Sequence, residues 1–106
     1  MITNATLLRI DPPPPAPAAP AGPPTDVRCA FCAPAATGLR WLSAARLSAS
    51  AVLYLPLTDV GGVSPGGRAW VRLDGHSAAA EWAVVHVAPR VGEVLRYVQV
   101  YLAPAG

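Results

Sequence analysis

The chain has 106 residues, room for one domain and little more. Hydrophobic residues make up 53% and charged residues only 13%, well below the roughly 25% of an average soluble domain; that balance argues against intrinsic disorder and points to apolar surface covered by something other than water, such as neighbouring copies. A net charge of +2 leaves no dominating basic field for nucleic acid.

The opening MITNATLLRI has no basic leader region, and its apolar stretch is too short for a signal peptide. No run reaches the ~18 apolar residues of a membrane-spanning helix. The expectation is a soluble protein that stays where it is made, with its two cysteines as reduced thiols.

Residues 1–10 place Ala5, Leu7, Leu8 and Ile10 at strand-like spacing. They are followed by PPPPAPAAPAGPP, residues 12–24, with eight prolines in thirteen positions. Proline fixes φ and removes a donor, so this stretch suits neither a helix interior nor a sheet ladder. It reads as an extended polyproline-II strap, on the order of 40 Å long at ~3.1 Å per residue. Ten residues cannot fold alone, so residues 1–25 read as an N-terminal arm whose Leu7, Leu8 and Ile10 dock on a neighbouring copy or on the arm's own domain. Residues 26–106 read as the domain proper.

Within that domain, Asp26 to Ala33 alternates as a strand, with Cys29 and Cys32 on opposite faces. Thr37 to Ser50 is the one helix candidate, from the spacing of Leu39, Leu42 and Arg46. Ala51 to Leu55 is a strand ended by Pro56. Thr58 to Gly67, with four glycines and a proline, reads as a long loop projecting from the domain. Its Asp59, Gly61, Gly62, Gly66 and Gly67 are candidates for a mobile segment, against the plainer alternative of an ordinary hairpin loop. Arg68 to Asp74 alternates cleanly, and Asp74-Gly75 is a hairpin signal. Ala80 to Ala88 follows and should stop at Pro89, and Val94 to Leu102 closes the chain. The fold class expected is all-β: a small five- to six-stranded barrel or sandwich with one short helix and an extended N-terminal arm.

The chemistry-bearing candidates are sparse. Cys29-Ala-Phe-Cys32 matches C-x-x-C, but it lies in a β-periodic run and not at a helix N-terminus, where a dipole would activate the first thiol. With only His76 and His86 to add, a zinc site lacks a closely spaced second ligand pair. No carboxylate pair, nucleophile elbow or phosphate-binding glycine loop with its lysine is visible, so no catalytic residue, metal, cofactor or small-molecule substrate is expected, and the protein is not expected to be an enzyme. Trp70, flanked by Arg68 and Arg72 on one strand face, is the best surface candidate for an interface. The alternative is a cation–π-decorated outer face with no partner.

From residue 51 onward the segments AVLYLP (51–56), GRAWVRLDG (67–75), WAVVHVAPR (82–90) and LRYVQVYLAP (95–104) form a rhythm with a name. It resembles the head-completion, or stopper, proteins and related minor capsid proteins of tailed bacteriophages. Leu55-Pro56, Asp74-Gly75, Trp82 to Val85 and Val98 to Val100 occupy the matching places, and VRCAFCAP (27–34) fits an earlier strand. The proline strap and the C-x-x-C depart from that pattern. The resemblance implies a small β-barrel in the virion, assembled in the host cytoplasm. It would repeat as a homo-oligomeric ring beneath the portal and its adaptor, touch tail or neck proteins, and have packaged DNA in its channel, with no membrane contact. Two other classes stay open: a non-viral β-barrel binding module or accessory subunit, and a zinc- or thiol-dependent protein acting through Cys29 and Cys32.

Overall fold

Six segments of β-branched and alternating apolar residues form strands in the computed structural model, which describes residues 3–11, 26–35, 40, 42–45, 47–56, 65–91 and 96–105. They are β1 (Ala5–Asp11), β2 (Val27–Cys32), β3 (Ala51–Pro56), β4 (Arg68–Leu73), β5 (Ala80–Val91) and β6 (Arg96–Pro104). They close into one barrel in the order β1-β2-β3-β6-β5-β4, with every neighbouring pair antiparallel. Two three-stranded meanders, β1-β2-β3 and β4-β5-β6, are therefore joined along two seams, β3 with β6 and β1 with β4. Strand direction alternates around the barrel. The β1–β2, β3–β4 and β5–β6 connections thus leave one rim, here called upper, and the other connections leave the lower rim.

The all-β barrel expected from the sequence is what forms, with six strands. Of the two alternatives for the N-terminal arm, docking on its own domain is what forms, and the boundary at residue 26 is the correction. Residues 5–11 are an integral strand paired with β2 on one side (Leu7 opposite Val27) and with β4 on the other (Ile10 opposite Ala69). Leu7 is fully buried and Ile10 nearly so, both inside the chain's own core, so neither is an intersubunit contact; only Leu8, half-buried, faces outward. The physical reason is closure. Without β1 the barrel would have two open edges at β2 and β4, and its hydrophobic interior would lack one wall. The barrel domain therefore begins near residue 5 and not at 26, and the strap, residues 12–24, lies outside the described residues.

The interior is built by period-two alternation: Ala5, Leu7, Cys29, Leu53, Leu55, Val71, Val84, Val100 and Leu102 all point inward and are buried. Phe31 and Trp82, with ring centroids 5.4 Å apart at a 56° tilt, pack against this core from the lower ends of β2 and β5. Outside the barrel, Arg40 and residues 42–44 are helical. The Leu47 amide donates to the Leu42 carbonyl at 2.8 Å and closes the turn, so among the described residues the helix is shorter than the expected 37–50. Leu42, with Leu47 and Ala49 beside it, covers the outward-facing Val52 and Tyr101.

Strand ends also differ from expectation. β5 runs on through Pro89 to Val91 because β4 flanks only Ala80–Ala83. Beyond Val84, which Gly66 and Gly67 still pair, the described residues give the strand a ladder on the β6 side alone, where a proline is tolerated with its nitrogen on the open side. At Asp74-Gly75 the turn forms as expected: the His76 amide donates to the Leu73 carbonyl at 3.0 Å, and Gly75 has φ +86°, which favours glycine. The connection is longer than a two-residue hairpin, since pairing resumes at Val71 opposite Ala80.

Removing residues 1–11 should abolish the cooperative thermal transition, and Leu7→Ala should destabilise the barrel by about 2–5 kcal/mol. Denaturant unfolding followed by circular dichroism measures both. A truncated protein that kept the native transition would mean that β1 is dispensable.

Candidate interaction surface

Strict alternation from Leu7 would send Arg9 into the barrel, an untenable place for an unpaired guanidinium. A β-bulge between Leu7 and Arg9 resets the phase: Leu8 is the extra residue, Arg9 pairs with Trp70 on the outer face, and Ile10 returns to the interior. On the outside the Arg9 guanidinium carbon stands 4.7 Å from the Trp70 ring centroid. Its fork binds Asp11, Nε to Oδ1 at 2.9 Å and Nη2 to Oδ2 at 2.8 Å. Asp11 lies opposite Arg68, and Trp70 lies opposite Glu81 on β5.

The resulting face carries Arg68, Trp70 and Arg72 along β4, as the sequence suggested, with the two arginines exposed and the indole half-buried. The cation over the ring is nonetheless Arg9, from the neighbouring strand. It was missed because the residues LLRID read as a plain alternating strand, and only a phase count from Leu7 reveals the conflict.

A second exterior cluster fastens the lower rim. Arg28 on β2 holds Asp74 with both nitrogens, at 2.6 and 2.7 Å, and also reaches the hydroxyls of Thr6 at 3.1 Å and Thr3 at 3.2 Å. The Arg28 guanidinium, first through these hydrogen bonds and then through its charge, holds the Asp74 carboxyl below its ordinary value of 3.8. The side chains are 48% and 53% exposed, so solvent screens the pair and its contribution to stability is modest. Beside it, the Asn4 side-chain amide donates to the Phe31 carbonyl at 2.9 Å and accepts from the Phe31 amide at 2.7 Å. A side chain thereby continues the β1–β2 ladder where the main chain leaves it. Neither Asn4 nor the Arg28–Asp74 pair carries a local sequence signal, because each joins residues far apart in the chain.

The two thiols face opposite sides, as their spacing predicted. Cys29 is fully buried among core residues, and desolvation pushes its thiol up to about 11, against smaller opposing effects of a backbone hydrogen bond with Leu7 and of the Arg28 charge. Cys32 is exposed. His76 lies in an exposed turn. His86 is half-buried on the outer face, its ring 5.8 Å from that of Tyr101. A second bulge, between Val84 and His86, places it outside the barrel. Among the described residues, no group of three or more His, Cys, Asp or Glu side chains is arranged to hold a metal ion.

Of the expected mobile loop, Asp59, Gly61 and Gly62 lie outside the described residues. Gly66 and Gly67 continue the β4–β5 ladder, with the Gly66 amide donating to the Val84 carbonyl at 2.8 Å and the Val84 amide to the Gly67 carbonyl at 2.9 Å. Gly66 has φ +89°, a conformation that favours glycine. This end of the segment is anchored, and Gly67 is buried.

The fold and surface together define the class: a small, closed, six-stranded antiparallel β-barrel with an arginine–tryptophan outer face. No family model, curated protein or solved structure matches the chain.

Two outcomes follow from this geometry. At pH 8, iodoacetamide should modify Cys32 readily in the folded protein and Cys29 only after denaturation, because Cys29 combines burial with a thiolate fraction of roughly one in a thousand; mass spectrometry counts the adducts, and rapid double modification of native protein would contradict the placement of Cys29. Because the Asp74 pKa is lowered on folding, the pair stabilises the protein above the ordinary carboxylate pKa, and that stabilisation is lost as pH falls through the folded-state value. The difference in melting temperature between wild type and Asp74→Asn should therefore be present at pH 7, shrink in acid, and shrink at high salt. A gap that widened in acid would reverse the assignment.

Proposed function

We propose that this protein is a structural subunit of the head–tail connector of a tailed bacteriophage or prophage. In this reading it assembles in the host cytoplasm and repeats as a ring beneath the portal and its adaptor, where it helps to retain packaged DNA and docks the tail. Its role there is architectural and not catalytic. The observation that carries the reading is a coincidence of segments. The four stretches that bear the resemblance are β3, β4 with its turn, β5 and β6, four of the six strands of a small closed barrel of the kind the resemblance implies. The low charge of the chain and the half-buried Trp70 between the exposed Arg68 and Arg72 suit a permanent assembly, since arginine and tryptophan are enriched where protein interfaces are strongest.

The test is genetic and structural. Tailed particles from the source strain should contain the protein in a fixed ratio to the portal, and disruption of its gene should give heads that lose DNA and lack tails. DNA-filled, tailed particles formed without it would overturn the proposal.

A further inference from the structure

The outer face of β2, β1 and β4 carries four arginines around one indole. Arg28, Thr6 and Arg72 lie side by side in one cross-strand row, Arg9 and Trp70 in the next, and Asp11 and Arg68 in the third. Two of the four charges are neutralised within the molecule, where Arg9 holds Asp11 and Arg28 holds Asp74. Arg68 and Arg72 differ. Both are exposed, and among the described residues neither forms a hydrogen bond or an ion pair. They stand two residues to either side of Trp70 on β4, so their Cα atoms are about 13 Å apart at ~3.3 Å per residue. Trp70 and the outward-facing Leu8, both half-buried, leave apolar surface among these charges.

Two uncompensated guanidiniums with an indole midway between them match a partner that brings two carboxylates and an apolar group between those. A second copy of the chain does not bring them. Face to face, two such surfaces would set Arg68 and Arg72 against like charges. Among the described residues the acids outside ion pairs are Asp26, just before β2, and Glu81 on β5, and those strands lie on opposite sides of the barrel. Nucleic acid fits less well on two counts. Arg9, 4.7 Å from the indole centroid, takes the ring face on which a base would stack. A nucleic-acid strand also carries a charge at every nucleotide, so one bridging Arg68 and Arg72 would put a further phosphate beside Glu81, which lies opposite Trp70. A peptide escapes both conflicts, because it can leave the middle of the span uncharged.

We infer that the β1–β4 face binds an acidic segment of a different protein, with Arg68 and Arg72 each taking one carboxylate through the guanidinium fork and an apolar side chain of the ligand seated against Trp70 and Leu8. An extended segment with acids four residues apart has the matching span. The inference deepens the connector reading by giving the docking partner its chemistry, and it rests on that reading only in making the partner a component of the neck or tail.

Fluorescence anisotropy with the full-length chain at low ionic strength tests it. The probe is a short labelled peptide with two glutamates four positions apart, a leucine midway and serines elsewhere. Its comparators are a peptide of the same composition with the glutamates adjacent, and a short single-stranded oligothymidylate. The spaced peptide should bind most tightly, and more weakly as salt rises. Arg68→Ala and Arg72→Ala should each weaken it about tenfold, since each removes one charge-assisted fork. Arg40→Ala, at an exposed arginine outside this face, should leave binding unchanged. Circular dichroism checks that each variant is folded, and either of the two β4 variants suffices as the reading. No preference for the spaced peptide, tighter binding of the oligothymidylate, an equal loss on Arg40→Ala, or wild-type dimers in sedimentation that both β4 variants dissolve would overturn the inference. Acidic-peptide binding by a protein that never enters particles would overturn the connector reading alone, and a particle component without that binding would overturn this inference alone.

Discussion

Closure of the barrel imposes one condition on every strand: alternate residues must be apolar, because the inner face meets five other strands and no water. The sequence breaks that condition twice. From Leu7 the alternation would bring in Arg9, and from Val84 it would bring in His86. In each case a bulge inserts one residue, sends the polar side chain outside, and restores an apolar residue, Ile10 or Val87, to the interior. Desolvating an unpaired guanidinium would cost more than a small domain's whole margin of stability, so the lost ladder regularity is the lesser penalty. The outer surface follows from this correction. Arg9 reaches Trp70, and His86 reaches Tyr101, because the interior could not hold them.

The exterior divides accordingly. On the β3–β6 side the chain covers its own apolar residues with Leu42, Leu47 and Ala49, so Val52 and Tyr101 are effectively a second small core. On the β1–β4 side nothing comparable among the described residues overlies Trp70; the indole is shielded by a guanidinium held in place by Asp11. The first side is a packing solution and the second an electrostatic one. Only the second leaves charged groups, Arg68 and Arg72, beside a large aromatic surface, the composition from which strong protein contacts are made.

Much of the architecture was legible in the sequence. RAWVRLD and the Asp74-Gly75 turn gave both the strand and its end, since period-two alternation and a glycine at positive φ are local signals. The opposite facing of Cys29 and Cys32 followed from the same parity. What could not be read was non-local. Residues 5–11 had the spacing of a strand, yet thirteen residues of proline-rich sequence made them look detached, and only the demand for a sixth wall assigns them to their own barrel. Asn4 and the Arg28–Asp74 clip join positions dozens of residues apart and leave no periodic trace. Of the candidate surface, Arg68, Trp70 and Arg72 came from the sequence, and Arg9 came from a bulge that breaks the pattern used to find them.

The strand order also governs how the chain is able to fold. Neither meander is a barrel: β1-β2-β3 and β4-β5-β6 each keep one face and two edges unsatisfied until both seams form, and those seams join Ala5 to Leu73 and Ala51 to Leu102. Most closure is therefore long-range and late, which makes folding slow and leaves half-built sheets exposed as the chain is synthesised. Each half presents the edges that the other half requires. At high concentration the first meander of one molecule can complete itself with the second meander of another, giving a domain-swapped pair that has every ladder of the monomer and differs only in the path of the segment between β3 and β4.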